Sequence, residues 1–118
     1  MQTPSDSTCL FCGIAAGRIP AKVYHSDDHV MAFSDISPAA PFHALIIPKK
    51  HVGPLTESAR DEAGVIGKMV TVASELAREH GLQEGYRLNI NQGAGAGQTV
   101  AHLHLHLLGK RAFHWPPG

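Results

Sequence analysis

Apolar and polar positions alternate most strictly over Val100-Ala101-His102-Leu103-His104-Leu105-His106-Leu107-Leu108. In a strand this register sends His102, His104 and His106 to one face and Leu103, Leu105 and Leu107 to the other. Same-face neighbours lie about 6.5 to 7 Å apart, a span that one phosphate-sized ligand can bridge. A second alternating run, Tyr86 to Asn91, predicts a strand joined to the first by the glycine-rich stretch Gln92 to Thr99. Antiparallel pairing of the two would set Asn91 and the loop amides beside the histidine face. Phe42-His43-Ala44-Leu45-Ile46-Ile47-Pro48 reads as a strongly apolar strand stopped by proline, and Val23 to His25 and Val30 to Phe33 as a hairpin around Ser26-Asp27-Asp28.

Helical spacing is sustained once. Ala63, Ile66, Met69, Val70, Ala73, Leu76 and Ala77 form one stripe, which predicts a helix over about 58–80 opened by Ser58, with Asp61 at capping-box spacing and Gly81 just past its end. Gly64 and Gly67 interrupt it at about 1 kcal/mol each, which close packing against the protein's own sheet or a second copy would explain. A shorter helix is expected from Cys9 to Ala16, with Leu10, Phe11 and Ile14 on one side.

With 118 residues the chain fits one domain that buries roughly two-thirds of its unfolded surface. Residues 1–8 are expected to be flexible, and 9–118 to form the domain, including a tail whose Phe113 and Trp115 dock on its own surface or on a partner. Ten basic residues balance ten acidic ones, so no broad basic field points to nucleic acid. No apolar run approaches the ~20 residues of a membrane span, and the first residues lack the pattern of a signal peptide, which predicts an intracellular, cytoplasmic protein. Nine histidines are the compositional outlier and make net charge climb as pH falls toward 6.

Those histidines and the two cysteines carry the candidate chemistry. Three consecutive same-face histidines are hard to satisfy as core, because each ring has two nitrogens needing partners. A three-histidine zinc site and a ligand site remain as readings. The glycines of Gly93-Ala94-Gly95-Ala96-Gly97 could turn backbone N–H groups toward an anion or serve as a plain hairpin connection, and they lack the lysine and helix start of a P-loop. His43, alone at a strand start, is unremarkable. Cys9 and Cys12, spaced C-x-x-C, suggest a metal site or a redox pair, with buried thiols as the alternative; a redox pair normally opens a helix within a βαβ unit, which this position does not suggest.

His102-Leu103-His104-Leu105-His106-Leu107-Leu108 resembles the signature of the histidine triad superfamily. The likeness extends to Asp35-Ile36-Ser37-Pro38, His43 with Ile46 to His51, Gly85-Tyr86-Arg87, Gly97-Gln98-Thr99 and Trp115-Pro116-Pro117-Gly118, which resemble the Hint branch of nucleotide-binding proteins over about residues 9–118. The resemblance implies an α+β fold: an antiparallel sheet of about five strands with one long helix and a short N-terminal helix, in a homodimer with an extended sheet. It also implies binding of purine nucleoside monophosphates and hydrolysis of adenosine 5′-phosphoramidates. In that reading His104 is the nucleophile, His106 contacts the α-phosphate and His43 supports the site. Asn91, Gly97, Gln98 and Thr99 cradle the phosphate, Asp35 holds the ribose hydroxyls, and Phe11, Ile14, Phe33 and Ile36 line the base slot. Thr99 stands where family members often have serine.

Resemblance to the zinc-carrying members implies a structural Zn²⁺ held by Cys9, Cys12, His51 and His102, a chemically closed ligand set, and no organic cofactor. Two other readings stay open: a purine nucleotide-binding scaffold with incidental catalysis, and a dinucleoside polyphosphate hydrolase. The Trp-Pro-Pro-Gly ending argues against the latter.

Overall fold

Five strands form one antiparallel sheet in the structure, a computed structural model that describes residues 8–118. They are β1 (Val23–Ser26), β2 (Val30–Ser34), β3 (Phe42–Pro48), β4 (Tyr86–Asn89) and β5 (Leu105–Gly109), in the spatial order β1-β2-β3-β5-β4. Among the described residues three α-helices accompany them, α1 (Leu10–Ala15), α2 (Leu55–Ser58) and α3 (Ala63–Glu79), with a 3₁₀ turn at Ala94–Ala96. Apart from Thr8, the flexible segment expected over 1–8 lies outside the described residues. No described helix is long and apolar enough to cross a membrane.

The sheet has two occupied faces, and that is why β3 reads as an unbroken apolar run. On one face Ala32, Ala44, Ile46, Leu105 and Leu107 meet Met69, Val72, Ala73, Leu76 and Ala77 of α3. On the other, Met31, Phe33, Leu45 and Ile47 pack with Phe11 and Ile14 of α1. β3 and β5 are neighbours in register Leu45↔His106 and His43↔Leu108, so His43 and His106 share the α1 face as diagonal neighbours.

The long helix is shorter than its sequence pattern. Ser58 does not cap it: its hydroxyl donates to the Pro54 carbonyl at 2.9 Å, and Pro54 opens the separate turn α2. The break falls at Glu62, which is buried and drawn to Lys50 at 3.0 Å. Val70, expected in the apolar stripe, is 40% exposed, and Val72 takes its place. Gly64 and Gly67 have nothing within 4 Å of where a Cβ would stand, so packing on the protein's own sheet does not account for them.

The histidine strand is also shorter, starting at Leu105 rather than Val100. The Leu103 N–H donates to the Val52 carbonyl at 3.0 Å, and the His102 carbonyl is taken by a side chain, so these backbone groups are spent outside the ladder. Burial still alternates as expected at the leucines, with Leu103, Leu105 and Leu107 all in the core. The tail docks through Arg87, whose guanidinium donates to the carbonyls of His114 and Pro117 at 2.9 and 3.0 Å and lies over the Phe113 ring, while Trp115 stays exposed.

Gly81 ends α3 with φ +75°, and the bonds Leu82 N–H to Ala77 carbonyl (2.7 Å) and Gly81 N–H to Arg78 carbonyl (3.2 Å) form a Schellman closure that tucks Leu82 into the core. Gly81→Ala is expected to lower the unfolding free energy by about 1 kcal/mol, read as an earlier urea midpoint at unchanged slope.

Candidate active site and metal-ligand cluster

The bend before β5 sets the site. The Nδ1 of His104 lies 2.7 Å from the carbonyl oxygen of His102. A carbonyl only accepts, so Nδ1 carries the proton and Nε2 is left with its lone pair. His104 is buried, and its ring is held edge-on by Phe11 at 5.0 Å between centroids. Phe11 in turn stands edge-on to Phe33 at 5.6 Å.

His104 and His106 border a cavity of about 360 Å³ between α1, β2 and the 35–37 loop. Its walls include Phe11, Ile14, Phe33, Ile36, Asp35 and Thr99. All four residues expected at a base slot are therefore brought together, with Ile36 93% exposed at the rim. Sequence reasoning missed Ile19, Leu45 and Val100, which share this wall. Ile19 follows a helix-ending glycine and Leu45 lies two positions from His43, and those spacings were the available signals.

The structure does not gather the whole glycine loop there. Asn91, Gly97 and Gln98 stand away from the cavity wall, and Gln98 spends its amide inside the loop: it accepts from the Gly93 N–H at 2.8 Å and donates to the Val100 carbonyl at 3.1 Å. Asn91 accepts from the Asn89 amide at 2.7 Å.

On the adjacent strand His43 Nε2 lies 2.9 Å from His106 Nδ1 and 3.5 Å from Asp35 Oδ2. Asp35 also accepts from the Ser37 N–H at 2.8 Å, which folds the loop over β3. Burial, followed by the neighbouring rings of His104 and His43, holds His106 down at about 4, against the opposing pull of Asp35. Burial likewise lowers His43, partly offset by Asp35. Both rings are therefore neutral near pH 7.

Cys9, Cys12, His51 and His102 bring four donor atoms within 4.8 Å of one another. Sulfur to nitrogen separations are 3.3 Å for Cys9–His102, 3.5 Å for Cys12–His102 and 3.3 Å for Cys12–His51. A tetrahedral ion with sulfur at about 2.3 Å and nitrogen at about 2.0 Å would set such ligands about 3.5 Å apart. His102 is also in the correct tautomer: its Nε2–H donates to the Pro48 carbonyl at 2.9 Å, leaving the Nδ1 lone pair toward the thiols. Cys9 and Cys12 are not joined in a disulfide. The residues fit a resident metal ion.

Fold and site together define a histidine-triad domain. The HIT domain family model matches residues 16–113, and the chain belongs to that family. Within it the chain is Hint-like. It is 42% identical over 118 residues to the adenylylsulfatase HINT1 of Arabidopsis thaliana, covering 98% of this chain and 80% of the relative. Among solved structures it is similar to a HIT family hydrolase from Legionella pneumophila, with TM-score 0.90 and 48% identity over 94% of this chain and all of the other. A zinc-bound histidine triad family protein from Mycobacterium smegmatis shares 32% identity at TM-score 0.78, covering 94% of this chain and 80% of that one.

The lowered His106 and His43 make stability depend on pH. Unfolded, these rings take up protons below about 6.5, whereas folded His106 does so only near 4, so the unfolded chain binds more protons between the two values. Unfolding free energy is expected to fall as pH drops from about 6.5 to about 4, and His106→Gln to flatten that slope, measured by urea titrations at each pH.

Proposed function

We propose that the protein hydrolyses the P–N bond of purine nucleoside 5′-phosphoramidates through a covalent nucleotidyl-histidine on His104. The observation that carries this reading is the Nε2 lone pair of His104, fixed by the His102 carbonyl at 2.7 Å and bordering a cavity sized for a nucleoside monophosphate. Nε2 attacks the α-phosphorus, the P–N bond to the amine breaks, and the departing nitrogen takes a proton. Water then attacks the same phosphorus, the bond to His104 breaks, and the nucleoside monophosphate leaves with the imidazole restored.

In this reading Asp35 accepts from the ribose hydroxyls, while Phe11, Ile14, Phe33 and Ile36 hold the base. His106 faces the α-phosphate, supported by His43. Thr99 approaches the phosphate directly; Asn91, Gly97 and Gln98 shape the loop that carries it, consistent with the internal bonds of Gln98. The name of the Arabidopsis relative, an adenylylsulfatase, agrees with attack at an adenylyl phosphorus.

Zinc is the ion read into the Cys9, Cys12, His51 and His102 set, where it pins α1 to the bend before β5. The protein is further read as a homodimer whose sheet continues across two copies; the open space at Gly64 and Gly67 and the exposed Val70 leave α3 a face on which the second copy would pack.

His104→Ala is expected to cut turnover of an adenosine phosphoramidate by on the order of 10⁴-fold or more while adenosine monophosphate still binds. Unchanged turnover would rule out this nucleophile. Elemental analysis of protein purified without added metal is expected to find about one zinc per chain, and Cys12→Ser to lose it together with a fall in Tm.

A further inference from the structure

The Ala39 backbone N–H lies 2.9 Å from His43 Nδ1. An amide N–H can only donate, so Nδ1 of His43 accepts, and the proton of the neutral ring sits on Nε2. That Nε2–H faces His106 Nδ1 at 2.9 Å, with Asp35 Oδ2 as a weaker second acceptor at 3.5 Å. Since His106 Nδ1 accepts, the His106 proton is on Nε2. That Nε2 is buried, has no partner among the described residues, and belongs to a ring in the cavity wall. Residue 39 is held at its other backbone group too, where its carbonyl accepts from Arg111 Nε at 3.1 Å.

We propose that the Ala39 amide is a positioning group for the reaction proposed above: through His43 it fixes His106 as a hydrogen-bond donor toward the ligand. The two catalytic rings then differ in polarity. A carbonyl at 102 makes His104 present a lone pair, and an amide at 39 makes His106 present an N–H. The group opposite His106 must be an acceptor, either an anionic phosphoryl oxygen or the lone pair of a departing atom. Without the amide, His43 is free to carry its proton on Nδ1, and its Nε2 would then accept from His106 Nδ1–H. His106 would turn a second lone pair toward the phosphate, and the two like lone pairs would repel it.

The inference rests on the phosphoramidase reading for its consequence in turnover, but its first test does not. Imidazole ¹⁵N shifts of histidine-labelled protein without ligand at pH 7.5 report which ring nitrogen is protonated. Protonated Nε2 with bare Nδ1 is expected for His43 and His106, and the reverse for His104. Finding His106 protonated on Nδ1 would overturn the proposal. The second test replaces residue 39 by lactic acid, which exchanges the N–H for an ester oxygen and keeps the side chain, alongside Ala39→Ser, which keeps the N–H. The ester variant is expected to give mixed His43 and His106 tautomers and a kcat about 10- to 100-fold lower, the range lost when orienting partners of histidines are removed. Ala39→Ser is expected to match the parent in both. An ester variant with unchanged tautomers would assign the control to Asp35 and overturn the role of the amide. Expected tautomers without any phosphoramidate turnover would instead sink the functional reading and leave the tautomer assignment standing.

Discussion

Residue 102 ties the molecule together by three different groups. Its Nδ1 faces the thiols of Cys9 and Cys12, its Nε2–H is held by the Pro48 carbonyl at the end of β3, and its own carbonyl fixes the His104 ring. A buried imidazole with both nitrogens committed is costly to disturb, because either nitrogen left unpaired loses its full desolvation compensation. The N-terminal helix, the central strand and the His104 lone pair therefore share one anchor. Phe11, one residue before Cys12 on α1, carries the same constraint into the cavity wall, since it touches His102 and His104 together.

Dividing the sheet into two faces gives each its own task. The α3 face is mostly aliphatic, with alanines, valines, leucines and Ile46 that hold β2, β3 and β5 against one helix and Phe42 as its aromatic member. The opposite face trades part of that apolar area for four histidines and one carboxylate, and compensates with hydrogen bonds at nearly every ring nitrogen. Among the described residues His106 Nε2 is buried without a partner, and it sits where a ligand would supply the missing acceptor.

The sequence made some of this legible because side-chain alternation survives where the hydrogen-bond ladder does not. Leu103 is buried with Leu105 and Leu107, so the pattern identified the face although the strand begins only at Leu105. The four-donor cluster was reached through resemblance, since Cys9 and His102 are 93 positions apart and no spacing rule joins them. The fracture of the long helix was not legible: Ser58 and Asp61 imitate a capping box, and only the tertiary pairing of Glu62 with Lys50 shows where the helix starts. Backbone contributors were invisible for a simpler reason. The carbonyls at 48 and 102 are present whatever the residue type and the amide at 39 for any residue but proline, so no particular letter in the chain marks them.

The order β1-β2-β3-β5-β4 also bears on how the chain comes into being. Among the described residues β4 has its only ladder with β5, which follows it in the chain, and β3 likewise waits for β5 on one edge. The hairpin of β1 and β2 with β3 is built from consecutive strands, while β4 has no ladder until residues 105–109 slot between it and β3. β5 brings His106 and joins β3 to β4 in the same step, so the ladder across the sheet and the pairing of His106 with His43 are completed together.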